Sequence, residues 1–234
     1  TLQCFRRSRR YGKDMDYLSM RAFSDGKMIS PAVFIPIAEK NGAIVPIGTW
    51  VVEESIRCFA DWKKKYTGHF VLSLNISAIQ YKKTDFVDIV MQIIRKYDVD
   101  PHEIELEITE SVLIDNFTEM TEKLCVLREY GFRISLDDFG TGYSSLSYLK
   151  GLPIDTLKID KSFVDAMLVD DNARIITESI VYMVRKLGFE TIAEGVETNE
   201  QFEYLKSIEC DCIQGFLLGK PIPKDEVEKL LLRS

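Results

Sequence analysis

The chain has 234 residues, of which 46% are hydrophobic, and this is enough apolar material for a full globular core. Its formal net charge of −7 argues against a nucleic-acid polymer as partner, because polyanions are bound through basic side chains. No apolar run approaches the roughly 18 residues of a membrane-spanning helix, and no secretory signal opens the chain. The five cysteines lack framework spacing, so we expect reduced thiols and a cytoplasmic location.

The N-terminal part of the chain differs in character from the rest. Residues 1–28 contain two strand-like segments, at 3–6 and 17–23, and the basic run RRSRRYGK. Such a run is typical of a solvated hairpin loop, with binding of a phosphate or an acidic partner as the alternative. Ser30 and Pro31 have the character of an N-cap and a first-turn proline, which predicts a helix that stops at Gly42.

Strands and amphipathic helices alternate over the remainder of the chain. Helices are predicted near 47–65, 84–97, 116–130, 171–187 and 198–207, with a last helix after Pro223. Strands are predicted at 70–77, 103–109, 133–138, 156–160, 191–196 and 212–216. This alternation implies parallel strands with right-handed crossovers. With the two N-terminal segments there are about eight strands, so the sequence favours a single α/β domain with a TIM-like (β/α)8 barrel. An open doubly wound sheet is less favoured, because no GxGxxG follows a strand.

Charged residues gather where four of these strands end, in ELEITE (105–110), SLDDFG (135–140), LKID (157–160) and IAEGVE (192–197). The C-terminal ends of barrel strands converge on one mouth. Carboxylates packed together repel one another unless some are protonated or a cation lies between them. Carboxylate and amide oxygens without soft ligands select Mg²⁺, Mn²⁺ or Ca²⁺. The residues expected at this mouth are Asn75, Glu107, Asp137, Asp138, Lys158, Glu194 and Gln214.

This set of groups suits hydrolysis of a phosphodiester. The adjacent pair Asp137 and Asp138 allows one carboxylate to bridge two ions, and two metals about 3.5–4 Å apart assist in-line attack. Lys158 is expected to orient the attacking water or to neutralise developing charge. Glu194 is expected to bind metal or to take the proton of that water.

Two further acids, Glu110 and Glu197, lie three residues beyond Glu107 and Glu194. We interpret them as groups that hold a loop close to the metal ligands, with simple helix-start acids as the alternative. A single acid at a strand end is more often a helix cap, but capping does not explain five or more at corresponding strand ends.

Long ordered motifs extend through nearly the whole chain: FIPIAEKNG (34–42), LNISAIQY (74–81), ELEITES (105–111), DDFGTGYSSLSYLKGLPIDTLKIDKSFV (137–164), IAEGVET (192–198) and QGFLLGKPIP (214–223). On these segments the chain resembles an EAL domain, the bacterial cyclic di-GMP phosphodiesterase family. The resemblance implies a TIM-like barrel with a departure at its first strands, often dimeric. It implies hydrolysis of cyclic di-GMP to linear pGpG with two Mg²⁺ or Mn²⁺ ions, and inhibition by Ca²⁺. The resemblance is also compatible with a GGDEF or sensor domain, or a membrane anchor, outside the given sequence.

The resemblance also implies roles by position. Lys158 and Gln214 would serve the catalytic water and the surroundings of the second metal, with Glu194 in the catalytic set as well. Glu110 would hold the DFGTG loop, which in the family contributes to dimerisation. The implied metal ligands are Asn75, Glu107, Asp137, Asp138 and Glu194. The implied nucleotide contacts are Gln3, near a guanine, Arg21, at a phosphate, and Pro36.

The triplet that gives the family its name is absent. Tyr17-Leu18-Ser19 stands where Glu-Ala-Leu is expected, and Cys4 replaces the proline of the opening motif. The family's glutamate is a metal ligand, whereas tyrosine, with a pKa near 10, is a neutral phenol at pH 7. Loss of a coordinating charge weakens such a site by orders of magnitude.

Three functions therefore stay open from the sequence. The first is a catalytically impaired domain that binds cyclic di-GMP and signals through conformation or partners. The second is an active or metal-rescued phosphodiesterase, because every other ligand is present; a shortening or rearrangement around residues 6–28 would also bring another acid, such as Asp14 or Asp16, near the vacancy. The third is a protein-interaction module that has lost the nucleotide; Gln3, Arg21 and Lys158 favour retained binding over this third function.

Overall fold

A computed structural model describes residues 2–5, 22–24, 27–66, 70–113, 116–140 and 149–231. The strands are β1 (Leu2–Phe5), β2 (Ala22–Ser24), β3 (Lys27–Ile29), β4 (Val71–Ile76), β5 (Ile104–Thr109), β6 (Arg133–Phe139), β7 (Thr156–Ile159), β8 (Glu190–Ala193) and β9 (Cys212–Ile213). The helices are α1 (Pro31–Lys40), α2 (Ile44–Lys65), α3 (Ala78–Tyr81), α4 (Phe86–Tyr97), α5 (Phe117–Glu129), α6 (Lys161–Ala166), α7 (Asp171–Lys186), α8 (Asn199–Ser207) and α9 (Lys224–Leu231). Short 3-10 helices at Pro101–Glu103 and Glu110–Leu113 flank β5.

Within the described residues, the main sheet has seven strands in the order β1-β4-β5-β6-β7-β8-β9. From β4 to β9 every neighbouring pair is parallel, and the spatial order follows the chain order. Strand β1 pairs antiparallel with β4, and β2 with β3 form a separate antiparallel pair. The predicted α/β class and the atypical N-terminal strands are thus confirmed. Because β4 to β9 run in one direction, their C-terminal ends meet at one edge.

The parallel strands alternate between apolar and polar side chains. In β5 the apolar residues Ile104, Leu106 and Ile108 are at most 1% exposed, and they alternate with Glu105 and Glu107. The same alternation holds in β4, in β7 and in β6 as far as Asp137, and each buried apolar residue contributes about 1.5–3 kcal/mol. Parallel sheets are usually apolar on both faces, so a polar face on this sheet marks a functional interior.

Some helix boundaries differ from those that the sequence predicts. Ser30 has the extended backbone of an N-cap, but its side chain makes no capping hydrogen bond. Helix α2 begins at Ile44, three residues before the predicted start, and β9 is shorter than predicted. None of the described helices combines the length with the hydrophobicity that crossing a membrane requires.

Candidate metal-binding and active site

A cavity of about 510 Å³ lies at the C-terminal ends of the parallel strands. Its walls include the start of α2 and the turn that leads into α3. Six of the residues predicted to meet at the barrel mouth line this cavity: Asn75, Asp137, Asp138, Lys158, Glu194 and Gln214. The predicted convergence of strand ends is therefore present in the geometry.

Lys158 lies at the centre of the cluster and is 1% exposed. Its Nζ is 2.5 Å from Oε1 of Glu194, 3.1 Å from Oε1 of Glu107 and 3.4 Å from Oδ1 of Asp137. The four side chains come from the ends of β5, β6 and β7 and from the residue after β8. Glu107 does not line the cavity, but it belongs to the cluster through its ion pair with the Lys158 ammonium group.

One ammonium group cannot neutralise three carboxylates, and the electrostatics of the cluster reflect this. Burial raises the pKa of Glu107 to about 8 and that of Glu194 to about 7, although Lys158 acts in the opposite direction. Burial disfavours the charged form of Lys158, but Glu107, Glu194 and Asp137 outweigh it and raise the pKa of the ammonium. Burial and the neighbouring Asp137 also raise the pKa of Asp138. The cluster therefore favours additional positive charge.

The backbone at Asp137 and Asp138 explains how two consecutive carboxylates face one cavity. Consecutive side chains of a regular strand point to opposite faces of the sheet. Asp138 has φ +56°, and the pairing of β6 with β7 shifts in register between Leu136 and Phe139. The backbone N–H of Asp138 donates to Oδ1 of Asp137 at 3.0 Å, which fixes the first carboxylate. The irregular strand thus re-aims the second one.

The donor set fits a hard divalent cation. Carboxylate oxygens of Asp137, Asp138 and Glu194 all lie within 4.8 Å of one another. Oxygens on opposite sides of one ion are about 4–5 Å apart, because Mg²⁺ and Ca²⁺ bind oxygen at about 2.0–2.6 Å. Oxygen-only donors favour Mg²⁺, Mn²⁺ or Ca²⁺ over softer metals.

The other predicted metal and catalytic residues lie close to this group. Asn75 is exposed on β4, where it is paired in register with Glu107 on β5. Gln214 follows β9 and is buried, and its backbone N–H donates to the carbonyl of Ala193 at 2.8 Å. The roles that the sequence assigns to these two side chains stay predictions.

The predicted nucleotide contacts are less fully described. Pro36 is exposed on α1 and does not line the cavity. The backbone of Gln3 lies in β1, in register with Ser73, and its side chain is outside the described part. Tyr17 and Arg21 also lie outside the described residues, as does the basic run.

The two acids predicted to hold loops differ in their surroundings. Glu110 is 6% exposed, and neither of its carboxylate oxygens has a hydrogen-bond partner in the described part of the chain. The loop that it is predicted to hold, at 141–148, is not among the described residues. Glu197 is half-exposed and forms an ion pair with Lys161, with Oε1 and Nζ 3.0 Å apart.

Sequence reasoning missed the second wall of the cavity. Glu39 of α1 lines it, and Oε1 of Glu39 accepts a hydrogen bond at 2.8 Å from Oγ of Ser77, just after β4. Gln80 packs against Gly48, where an added Cβ would lie 2.2 Å from Oε1 of the glutamine. The sequence signal that could have indicated this wall is the N-cap character of Ser77, which begins α3. Its side chain accepts a hydrogen bond from the backbone N–H of Ile79.

Comparison with known proteins agrees with the geometry. Residues 18–221 match the EAL domain family. MucR of Pseudomonas aeruginosa, a bifunctional diguanylate cyclase/cyclic di-GMP phosphodiesterase, is 40% identical over 200 residues, which are 86% of this chain and 29% of that protein. The oxygen sensor protein DosP of Escherichia coli is 39% identical over 199 residues, 85% of this chain and 25% of that protein. The chain spans about a quarter of the length of such curated relatives.

Solved structures give the same result for the fold. The PaMucR phosphodiesterase in complex with c-di-GMP superposes with a TM-score of 0.89 at 36% identity, covering 97% of this chain and 93% of that one. The manganese and cyclic di-GMP complex of BlrP1 from Klebsiella pneumoniae has a TM-score of 0.70 at 28% identity, covering 80% and 47%. These similarities confirm the predicted TIM-like barrel of the EAL type.

Proposed function

Because the chain belongs to the EAL domain family, we propose that it binds cyclic di-GMP at the cavity described above and hydrolyses it slowly. The observation that carries the proposal is the convergence of Asp137, Asp138 and Glu194 around Lys158 at the wall of that cavity. A volume of about 510 Å³ suits a small-molecule ligand. The cyclic di-GMP complexes among the structural neighbours supply the ligand class.

The residues at the cavity divide into a binding group and a charge-balancing group. Asn75, Asp137, Asp138 and Glu194 would hold one or two divalent ions, with Glu107 beneath them. Mg²⁺ or Mn²⁺ bound there supplies a nucleophilic water and neutralises phosphate charge. Lys158, within 3.4 Å of Asp137, keeps the carboxylates together at neutral pH.

Tyr17 is the reason to expect slow turnover. A neutral phenol at the position of the family's glutamate contributes no negative charge to the site, and such charge sets the affinity for hard cations. The rest of the site is assembled from the ends of β4 and later strands, which are remote from residue 17 in sequence. Nucleotide binding is therefore expected to survive the substitution better than hydrolysis does.

An active phosphodiesterase is the second candidate. The carboxylates of Asp137, Asp138 and Glu194 favour it, because they lie within 4.8 Å of one another and Lys158 lies 2.5 Å from Glu194. High concentrations of Mn²⁺ would then compensate for one missing ligand by mass action.

Restoring the glutamate distinguishes the two candidates. We expect Tyr17→Glu to raise the rate of pGpG formation by about tenfold or more, because a charged ligand is regained. Tyr17→Phe is the matched control and should leave the rate unchanged. Chromatography of pGpG with saturating Mg²⁺ gives the rate. Fast turnover by the wild type that Tyr17→Glu does not raise would refute impairment.

Calorimetric titration with cyclic di-GMP, using Ca²⁺ to suppress hydrolysis, tests the binding half of the proposal. We expect saturable binding by the wild type and by Tyr17→Phe. Absence of binding with and without Ca²⁺ would contradict the proposal and favour a protein-interaction module.

A further inference from the structure

The loop that carries Glu194 is anchored on its inner side by the backbone. The N–H of Glu194 donates to the carbonyl of Ile159 at 3.0 Å, and the N–H of Val196 donates to that of Gln214 at 3.0 Å. Gly195, between them, has φ +70°, a conformation that residues other than glycine rarely adopt. These two backbone hydrogen bonds hold only the inner side of the turn.

Lys161, the first residue of α6, covers that outer side. Its Nζ lies 3.0 Å from Oε1 of Glu197 and 2.7 Å from Oδ1 of Asp165, and it donates to the carbonyl of Gly195 at 3.4 Å. Its methylene groups lie against Gly195, where an added Cβ would be 2.3 Å from Cγ of the lysine. The side chain therefore joins α6 to both ends of the turn that follows Glu194.

The contacts of Lys161 are poorly suited to a purely stabilising role. The side chains of Lys161 and Glu197 are 44% and 46% exposed, and ion pairs at such exposure contribute about 0–1 kcal/mol. The position of the Lys161–Glu197 ion pair indicates its role better than its small contribution to stability does. Lys161 is three residues after Lys158, and Glu197 is three residues after Glu194, so this outer pair bridges the same two strand ends as the inner pair Lys158–Glu194.

We propose that Lys161 is a positioning residue for Glu194, holding the Gly195–Glu197 turn so that the Glu194 carboxylate faces the cavity and can bind a divalent cation. This inference rests on the proposed metal site and names a residue that the metal-ligand pattern does not include. Outer groups that orient metal ligands typically contribute about 10–100-fold to metal affinity. Lys161 acts through the backbone of the turn and through Glu197 and does not itself touch the metal.

The direction in which the affinity for Mn²⁺ changes when the Lys161 charge is removed distinguishes a positioning role from a purely electrostatic effect. Lys161→Met keeps an unbranched stem and removes one positive charge near a cation site. Electrostatics alone predicts tighter binding of Mn²⁺, because a repelling charge is lost. Positioning predicts weaker binding, because the turn loses its outer anchor.

Calorimetric titration of Mn²⁺ into the nucleotide-free protein is the test. We expect Lys161→Met to raise the Kd about tenfold and Lys161→Arg, which keeps the charge and can reach both carboxylates, to stay within about threefold of the wild type. Lys64→Met is the matched control: it removes an exposed lysine of α2, 3.6 Å from Asp61, and changes the net charge equally. Its Kd should not change.

Hydrogen exchange of the metal-free protein gives a second readout. Amides of residues 195–197 should exchange faster in Lys161→Met than in the wild type, with the rest of the chain unchanged. An unchanged or lower Kd together with unchanged exchange would overturn the proposal while leaving the metal site intact. Absence of Mn²⁺ binding by the wild type would instead overturn the metal site, and the positioning role with it.

Discussion

Replacement of Lys158 by methionine probes the charge balance of the site, because methionine resembles the buried stem and lacks the ammonium. In the wild type this ammonium lies within 3.4 Å of three carboxylates. Removing one partner of a buried ion pair costs about 3–5 kcal/mol. Removal of the ammonium also removes the influence that opposes protonation of Glu107 and Glu194, so their pKa values should rise above about 8 and about 7.

The pH dependence of the loss identifies its cause. The variant should therefore bind about one more proton than the wild type near pH 8, and the loss shrinks as pH falls until the wild type also protonates both glutamates, near pH 6. We expect the free energy of unfolding, from urea denaturation in EDTA, to fall by about 3–5 kcal/mol at pH 8, and we expect this loss to be about 1–2 kcal/mol smaller at pH 6. Mn²⁺ should reduce the loss at pH 8, since the ion replaces the missing positive charge.

A half-buried lysine supplies the control for this experiment. Lys63→Met removes an ammonium that lies 2.6 Å from Oε1 of Glu103, and it should cost less than about 1 kcal/mol at either pH. An equal loss for Lys158→Met at pH 6 and pH 8 would refute the electrostatic explanation, because lost packing does not depend on pH.

Two other measurements test the structure. Burial raises the pKa values of Glu107 and Glu194 to about 8 and about 7, so the folded metal-free protein binds more protons than the unfolded chain between about pH 4.5 and 8. Its free energy of unfolding should therefore fall by about 3 kcal/mol or more as pH rises through this window; urea denaturation in EDTA measures it, and a flat or rising profile would contradict the shifts. Gly215→Ala should lower the free energy of unfolding by about 2–4 kcal/mol, because the new Cβ would lie 2.2 Å from the carbonyl oxygen of Val196. Gly219→Ala, with nothing within 4 Å of its added Cβ, is the control, and equal effects would argue against that close approach.

The sequence predicted the strand ends well because the relevant signals are local. The charged residues in ELEITE and LKID predicted that Glu107 and Lys158 converge at one mouth, and their Nζ–Oε1 distance of 3.1 Å confirms that they meet. Parallel βα units then bring such ends together by topology alone. This part of the site required no knowledge of loop conformation.

Other features were beyond the sequence because they depend on tertiary contacts. Strict alternation would place Asp137 and Asp138 on opposite faces, and only the register shift in β6 brings both to the cavity. Helix α6 was not predicted, because six residues are too few to show a helical period, although Asp160 caps it by accepting from the N–H of Ser162. Glu39 was assigned no role, since its Ser77 partner is 38 residues away.

The left-handed backbone at Asp138 limits how this position can be dissected by mutagenesis. Asparagine tolerates that conformation nearly as well as aspartate, whereas an alanine side chain is strained there. An alanine variant would therefore relax the bend in β6 and delete the charge together, with the two losses inseparable in any assay. Asp138→Asn isolates the charge, and Asp138→Gly removes the carboxylate without opposing the bend. A loss that these two variants share is due to the missing carboxylate, because neither of them opposes the bend.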